Sequence, residues 1–154
     1  MASTYEQLEL DRQLCFALHR ASRAVVRSYG PLLEASGLTY PQYLVLLVLW
    51  EEPDRPFTVG EVGGRLHLDS GTLTPLLKRL EGLGHVRRTR DTADERRVLV
   101  ALTPEGLALR AELAEVPLEL FSGMGLEPDD ARRLHGALVG LAARLEADEA
   151  IGSR

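Results

Sequence analysis

From Glu6 to Tyr29 the chain has neither proline nor glycine, and Cys15, Leu18, Ser22, Val25 and Tyr29 recur at alternating steps of four and three. That spacing predicts one long helix with a narrow seam. Gly30-Pro31 is expected to end it, with a short apolar turn, Leu32 to Leu38, behind. Thr39-Tyr40-Pro41-Gln42 reads as a capping box with proline in the first turn, opening a helix through Leu44, Leu47 and Val48 to Trp50. This run is apolar nearly all round, which marks it as the buried centre.

A polar loop, Glu52 to Pro56, leads into a second capping box, Thr58-Val59-Gly60-Glu61, and a short helix through Val62, Leu66 and Leu68. Asp69-Ser70-Gly71 turns into the next helix, with Thr72 a candidate N-cap and Pro75 in the first turn or at a distortion. On that helix Leu73, Leu76, Leu77 and Leu80 share one side, while Thr74, Pro75, Lys78 and Arg79 share the other. Gly82 and Gly84 close it. His85 to Arg90 and Arg96 to Leu102 read as strands around the polar turn Asp91 to Glu95. Thr103-Pro104-Glu105 caps a helix expected to reach about Leu120 with a kink at Pro117. Glu127-Pro128-Asp129-Asp130 opens the last helix, where Leu134, Leu138, Leu141 and Leu145 form a second seam before a tail, Glu149 to Arg154, expected to fray.

Composition favours helices over a β-sandwich, since aromatic residues make up only 5% of a chain that is 45% hydrophobic. Residues 1–154 fit one domain. No apolar run reaches the roughly 18 residues of a membrane span, and the first residues lack the basic and apolar regions of a signal peptide, so a cytoplasmic protein is expected. The net charge of −5 is unevenly spread. Arg55 to Val100 holds nine Lys and Arg against six Asp and Glu, while the remainder holds nine against 17. Positive charge is therefore localised, and a basic segment in an acidic protein can still bind phosphates. A solvated charged face is the other reading of the same pattern.

Helix, turn, helix and basic hairpin in series make the winged helix-turn-helix pattern, against the alternative of two core helices and an ordinary hairpin. Arg87, Arg88, Arg90, Arg96 and Arg97 crowd into eleven residues beside a helix carrying Lys78 and Arg79. Phosphate relieves that repulsion. Asp94 and Glu95 are placed to pair with Arg96 and aim it. The two end helices carry apolar stripes that one short chain leaves uncovered, which implies a homodimer.

A lone cysteine on an apolar seam is either a small buried hydrophobe or a reactive group. Cys15 and Tyr29 lie about 21 Å apart along one straight helix at 1.5 Å per residue, so they cannot meet within a subunit. Two copies packed antiparallel about an axis near Ser22 would bring residue 15 of one to residue 29 of the other. A tyrosine donating to the sulfur favours the thiolate, the form that peroxides oxidise. His19, one turn beyond Cys15, suggests a thiol peroxidase pair, or else a polar residue at the seam's edge. His67, His85 and His135 lack metal-ligand spacing, and no metal or cofactor is expected.

The segments Asp69-Ser-Gly-Thr-Leu-Thr-Pro-Leu-Leu-Lys-Arg-Leu-Glu81, Asp91…Asp94-Glu-Arg96 and Leu102-Thr-Pro-Glu-Gly106 resemble the MarR family of winged-helix repressors. Gln13-Leu-Cys-Phe16, Thr39-Tyr-Pro-Gln-Tyr43 and Leu68-Asp-Ser-Gly-Thr-Leu-Thr-Pro75 are similar to its organic hydroperoxide resistance branch. The resemblance implies a mainly α fold with a small β wing, in which residues 39–103 bind DNA and residues 6–30 and 104–149 dimerise. It implies a repressor that holds double-stranded operator DNA while Cys15 is reduced and releases it when an organic hydroperoxide oxidises that thiol, with Tyr29 in support across the dimer. His19 stands where relatives carry a second tyrosine. Without a second cysteine, the chain resembles the one-cysteine subtype, in which a small thiol or further oxidation completes release. The expected DNA contacts are Ser70, Thr72, Thr74, Pro75, Lys78, Arg79, Arg88 and Arg90, with Arg96 inserted in the minor groove and held by Asp94. Two rivals remain: a MarR repressor sensing a small aromatic ligand, and a peroxidase using Cys15 and His19.

Overall fold

The computed structural model describes the backbone of residues 5–152 and the side chains of residues 5–147. The chain divides into two compact units between Val116 and Pro117. In the first, α1 (Leu14–Leu33), α2 (Tyr40–Glu51), α3 (Val59–Leu66), α4 (Ser70–Gly82) and α5 (Pro104–Glu112) surround a small sheet. Its strands β1 (Phe57–Thr58), β2 (Val86–Arg90) and β3 (Val98–Leu102) lie in the order β1-β3-β2, all antiparallel, with Val86 opposite Leu102 and Arg90 opposite Val98. The second unit contains nearly all of α6 (Val116–Met124) and the long α7 (Pro128–Gly152).

Helix α2 is the centre of the first unit, as its apolar circumference predicts: Tyr43, Val45, Leu46, Val48, Leu49 and Trp50 are buried, Leu44 is half-buried, and Pro41 and Leu47 are exposed. Buried Gln42 is tolerated because its side-chain oxygen accepts from the Thr39 amide at 3.0 Å, closing the predicted capping box. The second box forms too, with Thr58 Oγ1 accepting from Glu61 N at 3.1 Å and Glu61 Oε2 accepting from Thr58 N at 2.6 Å.

The first helix differs from its expected bounds at both ends. Glu6–Leu8 and Leu10–Arg12 form two 3-10 turns, and α1 starts only at Leu14. Arg12 reaches back to Glu6 and Glu9, and the Gln13 side chain donates to the Gln7 carbonyl, ties that fold the segment into tight turns. Gly30-Pro31 does not stop the helix: Pro31 removes only the bond to one carbonyl, and α1 continues to buried Leu33. The stop is Gly37, at φ 67°, after a 3-10 turn from Glu34 to Ser36.

Four further differences have local causes. Phe57–Thr58 is a two-residue strand, too short for any period to reveal. The N-cap of α4 is Asp69, not Thr72, and Pro75 lies in the second turn, where it leaves only the solvent-exposed Gly71 carbonyl without a donor. The helix after Thr103 is broken rather than kinked: α5 ends at Glu112 and α6 begins at Val116, with Pro117 in its first turn, where no amide donor is needed. Helix α7 runs on to Gly152, past the expected fraying at Glu149; residues 153–154 of that tail lie outside the described residues.

The root of the hairpin is held tightly. Gly84, at φ 81°, ends α4 with His85 N donating to Leu80 O at 3.0 Å and Gly84 N to Glu81 O at 2.9 Å, the Schellman pattern. Gly106 packs so closely on the same corner that a Cβ would lie 1.9 Å from His85 O. The Gly106 carbonyl, in the first turn of α5, in turn accepts from Trp50 Nε1 at 2.9 Å, which ties the start of α5 to the central helix. In the second unit Leu134, Leu138, Val139 and Leu145 remain exposed along α7. Among the described residues no single helix is long and apolar enough to cross a membrane.

Candidate nucleic-acid interface and sensor thiol

Helices α3 and α4 meet over a turn in which His67 takes a left-handed conformation, φ 53°. Gly63 permits the close return, because a Cβ there would lie 2.7 Å from the Leu68 carbonyl. Beyond the turn α4 buries Leu73, Leu77 and Leu80 and leaves Ser70, Thr72, Pro75, Lys78 and Arg79 exposed, with Thr74 half-buried. Asp69 caps the helix by accepting from Thr72 N at 2.9 Å and Thr72 Oγ1 at 3.0 Å. Those bonds hold its carboxyl below the usual range. Thr74 Oγ1 donates to the Ser70 carbonyl at 2.7 Å. Among the described residues Lys78 and Arg79 have no ion-pair partner, so their charge faces solvent.

The hairpin sorts its arginines into different roles. Arg96 lies in the turn and not in a strand, since β3 begins at Val98. Its side chain is 90% exposed, yet it is gripped by Asp94 through a fork of two bonds, 3.1 and 3.2 Å, while Asp94 also accepts from the Arg96 amide at 3.1 Å. The guanidinium and amide together hold the Asp94 carboxyl below its ordinary value. Arg97 lies 3.8 Å from Asp91. Arg87 and Arg90 are exposed. Arg88 is half-buried and paired: its Nε and Nη2 donate to Glu81 Oε2 at 3.0 and 2.8 Å, and its amide to Glu81 Oε1 at 3.0 Å. It fastens β2 to α4, and the same bonds lower the Glu81 carboxyl. Between α4, the start of α3 and the turn lies a groove of about 430 Å³, bordered by Ser70, Thr74, Arg96 and Arg97.

Cys15 is exposed in the first turn of α1, a helix whose N-terminus has no side-chain cap. His19 is exposed one turn on, and no hydrogen bond joins the two. Tyr29, near the other end of α1, is half-buried and packs against the core of the first unit. Its ring stacks on Tyr40 at 4.3 Å and tilts against Tyr43 at 5.7 Å. Burial and the two neighbouring phenols push Tyr29 up to about 12, so it keeps its proton at neutral pH and can donate a hydrogen bond. Burial likewise raises Tyr40. In the sequence Tyr40 is visible only as part of a capping box; its partnership with Tyr29 is a contact between helices and leaves no local signal.

A family model described as "Transcriptional regulator SarA/Rot" matches residues 27–113. The chain is 51% identical to the HTH-type transcriptional regulator TtmR of Methylorubrum extorquens, over 90% of this chain and 70% of that one. It is 41% identical to the organic hydroperoxide resistance transcriptional regulator of Bacillus subtilis, over 94% of this chain and 97% of that one. Among solved structures it is similar to AbfR, known from Staphylococcus epidermidis. Reduced AbfR bound to DNA is 38% identical, with a TM-score of 0.75 over 91% of this chain and 96% of that one. The overoxidized, DNA-bound form scores 0.74 over 91% and 97%, at 38% identity, and the disulfide form 0.62 over 89% and 95%, at 39% identity. With its helix-turn-helix, its three-stranded wing and its single cysteine, the chain belongs to the MarR family of winged-helix transcriptional regulators, in the organic hydroperoxide resistance branch.

Proposed function

We propose that the chain is a cytoplasmic redox-sensing repressor, a homodimer that holds operator DNA while Cys15 is reduced and lets go after an organic hydroperoxide oxidises it. The observation that carries this reading is the placement of α1. One end carries an exposed thiol, and the other carries a protonated phenol rooted in the core that also seats α4. Paired antiparallel about Ser22, two copies of α1 bring each thiol to the partner's phenol, and Tyr29 donates to the sulfur. The exposed leucines of α7 complete the dimer. Domain roles follow: residues 39–103 read DNA, and residues 6–30 and 104–149 dimerise.

On DNA, α4 enters the major groove with Ser70, Thr72, Thr74, Lys78 and Arg79, beside Pro75, while Arg96, aimed by Asp94, enters the minor groove and Arg90 contacts the backbone. Oxidation places bulk at the seam and moves the two α4 helices off half-sites roughly 34 Å apart. Overoxidized AbfR is DNA-bound, so of the two release routes we assign a mixed disulfide with a small thiol to this chain. Cys15 reacts once and does not turn over.

DNA affinity measured before and after one equivalent of cumene hydroperoxide with a small thiol tests the reading. We expect at least a tenfold loss for the wild type and none for Cys15→Ser. A Cys15→Ser protein that still releases DNA would make the chain a ligand-sensing repressor. Peroxide consumed continuously with a thiol reductant would make it a peroxidase.

A further inference from the structure

Of the 18 lysines and arginines in the sequence, 17 are arginine. The exception is Lys78, exposed on the outward side of α4 and, among the described residues, without an ion-pair partner. A phosphate contact does not account for the choice, because a guanidinium makes that contact as well or better. What an amine has and a guanidinium lacks is a nitrogen that can give up its proton and act as a nucleophile. Among the side-chain cations of residues 1–154, Lys78 alone can become an amide, and that change removes its charge.

A second, independent feature begins one turn away. The groove of about 430 Å³ between α4, the start of α3 and the hairpin turn is lined by Ser70, Thr74, Arg96 and Arg97. Thr74 and Ser70 precede Lys78 by about 6 and 12 Å along the axis and stand about 40° and 80° round the helix from it. Helical side chains lean toward the N-terminus, which directs the Lys78 stem over the Thr74 turn at the groove's edge. The groove keeps donors for an anion. The Asp94 fork occupies Nε and Nη2 of Arg96 and leaves Nη1. Arg97 stands 3.8 Å from Asp91, beyond a hydrogen bond, and the Ser70 hydroxyl has no partner among the described residues.

A reactive carbonyl joined to a phosphate fits both features at once. We propose that Lys78 is an acylation site, at which an acyl phosphate seats its phosphate in the groove between α4 and the wing and transfers its acyl group to Nζ, weakening the grip on DNA. The unprotonated amine attacks the acyl carbon, and the N–C bond forms as the bond from that carbon to the phosphate oxygen breaks. Inorganic phosphate leaves with the electron pair, the nitrogen loses its extra proton to water, and nothing is oxidised or reduced. The inference rests on the DNA-face reading above and adds a control of that same face that does not pass through Cys15.

The test uses the full chain and two acetyl donors, acetyl phosphate and the uncharged N-acetoxysuccinimide, with modified residues located by peptide mapping. Acetyl phosphate should modify Lys78, and mixed-sequence duplex DNA at low salt should protect it. Neighbouring cations raise the local concentration of an anion at least about tenfold, so the rate with acetyl phosphate relative to the uncharged donor should fall by roughly that factor in Arg96→Gln/Arg97→Gln. Acetylation should weaken binding to the same duplex roughly tenfold and lower the salt dependence by about one for each modified chain. Lys78→Gln should bind as weakly as the acetylated wild type, and the affinity of Lys78→Arg should not respond to acetyl phosphate. Acetyl confined to the α-amine, a rate ratio unchanged in the groove variant, or a loss of affinity that persists in Lys78→Arg would each overturn the site while leaving the DNA reading intact. Lys78→Gln binding as tightly as the wild type would remove the DNA-face assignment of Lys78, and the inference with it.

Discussion

Helices α1 and α4 are both amphipathic, and they complete their apolar sides in opposite ways. Within one chain α4 buries Leu73, Leu77 and Leu80 almost fully, at 0 or 1% exposure, whereas α1 buries only Leu33 of its 20 residues. The region around α4 is a finished core, and what it leaves open is charge directed outward. Along α1 the seam itself is left open, with Cys15 and Ser22 exposed and Leu18, Val25 and Tyr29 half-covered. In the proposed function DNA neutralises one helix and a second copy covers the other, which would put reading and sensing in different parts of the same small protein.

The largest expected effect comes from breaking the uncovered side. Leu138→Glu with Leu145→Glu puts carboxylates on the exposed stripe of α7. An unpaired charge buried at a subunit seam costs about 3–5 kcal/mol, so the dimer should dissociate roughly a hundredfold or more readily, measured by sedimentation equilibrium. Far-UV circular dichroism should show the winged part still folded, because its core lies within one chain. An unchanged self-association constant would place the interface elsewhere.

A smaller effect separates two arginines of one hairpin. Arg96→Ala should weaken operator binding by roughly tenfold and lower the salt dependence by about one for each wing, with the melting temperature unchanged. Arg88→Ala should lower stability by about 1 kcal/mol, a modest figure because the pair is partly solvent-screened, which shifts the melting temperature by about 2–4 °C. The reverse assignment would show that Arg88 leaves Glu81 to contact DNA.

These differences show which features a sequence carries. The capping boxes at Thr39 and Thr58 are legible because both partners lie three residues apart, and so are the lining of α4 and the Cys15–Tyr29 stripe. The helix start at Leu14 is not, since it depends on Arg12 turning back to Glu6 and Glu9. Nor is the capture of Arg88 by Glu81 seven residues away, a pairing that exists only once β2 folds against α4. The Tyr29–Tyr40 stack is equally silent. Hydrophobic period reports which side of a helix is covered, and it does not report what covers it.

The smallest prediction concerns the self-contained region alone. The Thr58 amide and Arg55 hold Glu61 down at about 2. A carboxylate depressed on folding lends stability above its unfolded value near 4.3, and that stability is lost as pH falls toward 2. Glu61→Gln keeps the capping geometry and removes this titration. The melting temperature should therefore fall less between pH 6 and pH 3 in the variant than in the wild type, and identical slopes would deny the ion pair a role.

The proposed sensor is tested most directly by one distance, that between Cys15 Sγ and Tyr29 Oη across two chains in a structure of the reduced protein. A dimer is expected, with the partner's phenol within hydrogen-bonding reach of the sulfur, about 3.3–4 Å. A monomer, or a dimer with each sulfur remote from every tyrosine of the other chain, would contradict it.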